Sequence, residues 1–368
     1  SIQILSEKET TKYDGILLNS PRLTKESINP KNNKVKIVSR FGVGYDSVDL
    51  DVLKKNNIIL TNTPNAVRRP VAVASLTMIL SLSGKLMIKD NLLREGRWNE
   101  RTNHMGVGLT SKTLGLIGFG GIGRELVKIS KNLFKKVICY DPFVDKGEMK
   151  SLQVDKVGFD EIAKSSDFLV ILCDLNEKTK GMIDSSFLNK MKGSSYLINL
   201  SRGPVVKEKD LIISLKQNKI AGAGLDVMTN EPIEKNNELI SMKNTILTPH
   251  SLCWTDECFY SIATEAISSI LNYVNDNPIF QKRFQGKGPI LDPLEWDVKS
   301  YFILGGGMHD AAIASWSVKG WYDYVRPISA IRSMVSRGQS SDPNLPNFNI
   351  GGILLIPGYI ELIKTGDS

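Results

Sequence analysis

The chain has 368 residues, 41% hydrophobic and 23% charged, an ordinary globular composition with room for two or three cored domains. Its formal net charge of +8 is spread over a Lys- and Asn-rich surface whose basic runs are as short as Lys31 to Lys36, which argues against a nucleic-acid partner. No apolar stretch approaching the roughly 20 residues of a bilayer span stands out, no signal peptide opens the chain, and the four cysteines show neither CxxC nor disulfide-framework spacing. A cytoplasmic protein with free thiols, no metal site and no membrane partner is therefore expected.

From the start of the chain, short runs rich in Ile, Leu and Val alternate with helix-like segments. Strands are predicted at Tyr13–Leu18, Val35–Ser39 and Ile58–Thr61, followed by one long helical stretch from Arg68 to Glu95. Further strands are predicted at Leu114–Gly118, Val137–Asp141, Phe168–Cys173, Tyr196–Leu200, Ala221–Val227 and Thr245–Thr248. That rhythm predicts an α/β fold of doubly wound parallel sheets, and a helix as long as 68–95 predicts a joint between two lobes.

Just beyond that helix, TLGLIGFGGIGR at Thr113 to Arg124 sets Gly118, Gly120 and Gly123 in G-x-G-x-x-G spacing. Alone such a motif is weak. Here it follows an apolar strand, opens a helix with Gly121 and Ile122, and is followed about 18 residues later by Asp141 at the next strand end. Gly118 permits a tight turn, Gly120 admits a pyrophosphate to the backbone amides, and Gly123 lets helix and sheet approach. The helix N-terminus faces the phosphates, and Asp141 suits the adenine ribose hydroxyls while repelling a 2′-phosphate, so NAD is the expected cofactor.

Three later loops each follow a predicted strand: NLSRG with Arg202, DVMTNEP with Asp226 and Glu231, and Thr248-Pro249-His250. Ligands of open parallel sheets bind beyond the carboxyl ends of the strands. With only three histidines in the chain, His250 is the best-placed proton-transfer group.

Together with GVGYDSVD at Gly42–Asp49, NTPN at Asn62–Asn65 and REGRW at Arg94–Trp98, these motifs make residues from about 13 to 285 resemble the D-isomer-specific 2-hydroxyacid dehydrogenases, among them phosphoglycerate dehydrogenases and glyoxylate or hydroxypyruvate reductases. The resemblance implies a Rossmann NAD lobe at 89–254. It also implies a discontinuous flavodoxin-like substrate lobe at 1–88 and 255–285, and a homodimer joined through the NAD lobe. It implies an NAD-dependent hydride transfer at C2 of a small 2-hydroxy or 2-oxo acid. Arg202 would hold the substrate carboxylate and C2 oxygen, with His250 as acid/base, Glu231 as its partner and Asp226 on the nicotinamide carboxamide. Amides of the Phe41–Gly44 loop, Val43 and Gly44 among them, would bind the far end of the carboxylate.

Some positions leave alternatives. Trp254 in SLCWT either lines the pocket or belongs to the core. Arg40, Arg68 and Arg69 either bind a substrate phosphate or are solvated. Family members carry a strand, a helix and usually a second strand ahead of Tyr13, so the substrate lobe is expected to be N-terminally incomplete, with Ser1 the edge of a fragment. An NAD-binding chain without efficient turnover is the alternative function.

After Phe284 the composition changes, and three of the five tryptophans fall in this tail. Asp292-Pro293-Leu294-Glu295 is a helix-start signature, and a mostly helical segment over 286–368 is expected. The stretch HDAAIASWSVKGWYDYVRPISAIR resembles part of the vanadium-dependent haloperoxidases and related acid phosphatases, with Lys319 and Arg326 as the oxyanion candidates. The family's two further elements, which carry its histidines, are absent, so this tail is expected to be inactive, whether it is a natural fusion or an artificial join.

Overall fold

Side-chain alternation decides the two faces of the larger sheet. In the computed structural model, which describes residues 4–276, Leu114, Leu116, Val137, Cys139, Phe168, Val170 and Ile198 enter one buried cluster. Their strand neighbours Ile117, Ile138, Leu169, Ile171 and Leu197 enter another on the opposite face. A strand apolar on both faces must be covered on both, which is why helices flank this sheet on each side. Each fully buried Leu, Ile or Phe contributes about 1.5–3 kcal/mol.

Ten strands are present among the described residues: β1 (Gly15–Leu18), β2 (Ile37–Arg40), β3 (Ile59–Thr61), β4 (Thr113–Ile117), β5 (Lys136–Tyr140), β6 (Val154–Lys156), β7 (Phe168–Ile171), β8 (Tyr196–Asn199), β9 (Gly222–Leu225) and β10 (Thr245–Leu247). They form a three-stranded sheet in the order β1-β2-β3 and a seven-stranded sheet in the order β10-β9-β8-β7-β4-β5-β6. Every pairing is parallel. The fold is therefore a Rossmann-like α/β arrangement whose strand order reverses between β4 and β7.

Two expectations need correction. β6 escaped prediction because Val-Asp-Lys carries one apolar residue and lies at a sheet edge, where no apolar run is required. The single helix expected over 68–95 is two, Pro64–Gly84 and Leu86–Arg94, because Lys85 adopts a left-handed conformation (φ 50°, ψ 43°) that ends the first ladder.

The Pro64–Gly84 helix is also long and apolar enough, by length and composition, to cross a bilayer, which the composition had not suggested. Ala72, Met78, Ile79 and Leu82 are buried in the core of the seven-stranded sheet, as expected of a core helix. Its N-terminus is capped from far away in sequence. Glu265, on the Asp256–Asp276 helix, accepts from the Ala66 amide at 2.9 Å and from Asn65 Nδ2 at 3.0 Å. The Asp256–Asp276 helix also packs on β1 and β2. Through it the end of the described chain returns to the first sheet. Residues 277–368 form a separate unit, and the tail expectations, Lys319 and Arg326 included, lie outside the described residues.

Candidate active site

The carboxyl ends of β4, β8, β9 and β10 lead into the loops that carry the predicted site residues. After β4, Gly118 has φ +101°, and a Cβ there would lie 2.8 Å from the Leu172 carbonyl beyond β7. Only glycine fits this turn at the point of strand reversal. Gly123 sits where a Cβ would lie 2.6 Å from the Gly118 carbonyl, so the Gly121–Ser130 helix starts against the turn. At Gly120, the helix N-cap, nothing lies within 4 Å of the Cβ position, and no side chain caps the helix. An open approach to uncapped helix amides fits a dinucleotide pyrophosphate. Arg68 crosses the start of this helix, its Nε 2.4 Å from the Cβ position of Gly121.

Asp141 ends β5 and turns toward its own backbone. One carboxylate oxygen accepts from the Phe119 amide at 2.8 Å, and the other accepts from Phe143 and Val144 at 2.9 and 3.2 Å. Two carboxylate oxygens offer about four acceptor sites, so this anchoring leaves room for a ribose hydroxyl.

Asp226 is only 3% exposed, and its Oδ1 gathers the Thr248 hydroxyl at 2.6 Å and the amides of Ser251 and Leu252 at 3.0 and 3.2 Å. It thereby clamps both sides of His250, which has a positive φ of 53°. Its Oδ2 accepts nothing among the described residues, which suits a carboxamide donor.

His250 Nδ1 lies 2.8 Å from Glu231 Oε2, and Glu231 Oε1 accepts from the Met228 amide at 2.9 Å. Burial opposes ionisation of Glu231. The hydrogen bonds from His250 and Met228, with the charges of His250 and Arg202, outweigh burial and hold its carboxyl below the ordinary value. A depressed carboxyl pKa stabilises the fold above the ordinary glutamate value of 4.5 and loses that contribution as pH falls through the folded value. Thermal unfolding of Glu231→Gln is therefore expected to show a shallower acid-side fall than the parent protein, and parallel falls would contradict this pairing.

Arg202 is fixed by a residue that the motif reading overlooked. Its Nε donates to Asp46 Oδ1 at 2.8 Å and its Nη1 to the Ser201 carbonyl at 2.8 Å, while Nη2 has no partner among the described residues. Burial acts against the Asp46 carboxylate, yet the charge and hydrogen bond of Arg202 hold it below its ordinary value. Gly44 makes room for the guanidinium, since a Cβ there would lie 1.5 Å from Arg202 Nη2. Asp46 lay in plain view within GVGYDSVD, but a partner 156 residues away is invisible to spacing.

The loop after β2 is tied to the NTPN segment. The Asn62 side chain donates to the Val43 carbonyl at 2.8 Å, and the Gly42 amide donates to Thr63 Oγ1 at 3.1 Å. The Phe41 amide already donates to Leu18 at 2.8 Å. Of the loop amides expected to bind a carboxylate, only those of Val43 and Gly44 are uncommitted among the described residues. Trp254 is 55% exposed and stands edge-on to Phe259 with ring centroids 5.2 Å apart; Phe259 in turn meets Phe41 at 5.7 Å. Arg69 pairs with Glu125 at 2.7 Å.

Comparison with known proteins agrees with this layout. A family model for the D-isomer specific 2-hydroxyacid dehydrogenase NAD binding domain matches residues 76–251, and one for the VCPO second helical-bundle domain matches residues 299–341. A glyoxylate reductase of Korarchaeum cryptofilum is 32% identical over 253 residues, 68% of this chain and 74% of that protein. A D-3-phosphoglycerate dehydrogenase of Archaeoglobus fulgidus is 30% identical over 296 residues, 80% of this chain and 55% of that protein. The chain spans about half the length of the curated phosphoglycerate dehydrogenases it matches. The crystal structure of a D-lactate dehydrogenase from Aquifex aeolicus, complexed with NAD and lactic acid, superposes with a TM-score of 0.68 at 28% identity, over 74% of this chain and 86% of that one.

Proposed function

Because the chain belongs to the D-isomer specific 2-hydroxyacid dehydrogenase family, we propose that it reduces a 2-oxo acid to the D-2-hydroxy acid with NADH, and runs the reverse reaction with NAD. The observation that carries this reading is the convergence of Arg202, the His250–Glu231 pair and the open Gly120 helix start beyond the carboxyl ends of one parallel sheet.

In this proposal the free Nη2 of Arg202 and the amides of Val43 and Gly44 hold the substrate carboxylate, and Arg202 also faces the C2 oxygen. Glu231 occupies Nδ1 of His250, so Nε2 is the atom that gives a proton to the C2 oxygen in reduction and takes it back in oxidation. NADH, when bound, supplies the hydride that reaches C2. Gly118, Gly120, Gly121, Ile122 and Gly123 hold its pyrophosphate, Asp141 the adenine ribose and Asp226 the carboxamide.

The same proposal assigns residues 89–254 to the NAD lobe and 1–88 with 255–285 to the substrate lobe. It also includes a homodimer through the NAD lobe, a cytoplasmic setting, and no nucleic-acid or membrane partner. The test is NADH oxidation by the full chain with glyoxylate, hydroxypyruvate, pyruvate and phosphohydroxypyruvate. Turnover of at least one acid is expected. NADH binding without turnover of any would leave a cofactor-binding protein instead.

A further inference from the structure

The Pro64–Gly84 helix sends two consecutive arginines from its second turn onto the Gly121–Ser130 helix. Arg69 pairs with Glu125 at 2.7 Å. Arg68 lies one turn back, against Gly121, so the two arginines meet positions i and i+4 of one helix face. Cδ and Cγ of Arg68 would lie 2.9 and 3.1 Å from a Cβ at Gly121, and the missing side chain leaves the arm its path.

This sets a guanidinium at the first residue of a helix, the end where the backbone amides already carry partial positive charge. The helix itself offers no offset, since Gly120 gives no side-chain cap and the first turn holds no acidic residue. Arg124, in that turn, is engaged with the Phe119 carbonyl at 3.0 Å and with Glu148. Asp141 is engaged with the amides of Phe119, Phe143 and Val144. Arg68 is exposed and makes no hydrogen bond or ion pair among the described residues. A cation without a partner beside a positive helix end is unfavourable until an anion joins the two.

Resting on the NAD-binding part of the reading above, we propose that Arg68 is a cofactor-binding residue whose guanidinium pairs with the pyrophosphate at the start of the Gly121–Ser130 helix. A planar guanidinium can meet two phosphate oxygens at once, which a single amide cannot. Arg68 stands well ahead of the glycine fingerprint and outside the family-matched residues 76–251, so this contact comes from a different segment of the chain. Gly121 then has two tasks: it gives the pyrophosphate an amide and it gives Arg68 room to reach it.

The test measures the Kd of NADH and of ADP-ribose, which carries the same pyrophosphate, for the full chain and for Arg68→Met and Arg68→Lys. Methionine keeps an apolar arm over Gly121 and removes the charge. Both Kd values are expected to rise about tenfold or more in Arg68→Met, with Arg68→Lys recovering part of the loss. Without cofactor, Arg68→Met is expected to melt no lower than the parent, and to gain less on addition of NADH. An NADH Kd within about twofold of the parent overturns the proposal and leaves the dehydrogenase reading intact. A loss confined to phosphohydroxypyruvate binding on the NADH-loaded protein also overturns it, and makes Arg68 a substrate-phosphate residue. Weaker NADH binding in both variants, with unliganded melting several degrees below the parent, makes the role structural and overturns it too. Should Arg68→Met fail to fold, Arg68→Gln is read in the same way. A parent chain that binds neither NADH nor ADP-ribose overturns both this proposal and the NAD-binding reading.

Discussion

His250→Ala is expected to lower 2-oxo acid turnover by a factor of about 10²–10⁴ while leaving NADH binding unchanged. The imidazole is bonded through Nδ1 to Glu231 and held by an Asp226 clamp on the amides that follow it, which leaves Nε2 for the proposed proton transfer. Among the described residues the one other histidine is His104, on the Trp98–His104 segment, while His309 lies outside them. Steady-state rates paired with NADH fluorescence titration check this. A variant that keeps turnover within a few-fold of the parent would remove His250 from the chemistry.

Arg202→Met should cost about 2–5 kcal/mol of substrate interaction, which is a fall of roughly 30-fold or more in kcat/KM. The loss has two sources. The substrate carboxylate loses the uncommitted Nη2, and Asp46 is left without its ion-pair partner. Arg202→Lys should recover little, because an ammonium cannot bond Asp46, the Ser201 carbonyl and a carboxylate with one planar fork. Measuring kcat and KM for each variant checks this, and wild-type KM in Arg202→Lys would count against a bidentate role.

The parts of the fold legible in the sequence are those encoded locally. Strands such as Phe168–Ile171 and Tyr196–Asn199 are continuous apolar runs because both of their faces are covered, and the glycine spacing at 118–123 follows from one turn. The three loop residues Arg202, Glu231 and His250 each follow a strand end, so their placement was legible too, while the pairing of the last two was implied by the family resemblance.

What escaped depends on contacts between distant segments. Asp46 gripping Arg202 and Glu265 capping the Pro64–Gly84 helix have no local signature. Nor does commitment of the Gly42 amide to Thr63, which narrows the proposed carboxylate-binding loop to Val43 and Gly44. The break at Lys85 escaped because lysine is a good helix former and carries no local signature of a left-handed backbone.

The most direct test of the central claim is the fate of deuterium from NADH labelled on the transferred face at C4. With a 2-oxo acid that the full chain reduces, the account predicts that the 2-hydroxy acid carries the label at C2 and has the D configuration. Product without deuterium at C2, or of the L configuration, would contradict it.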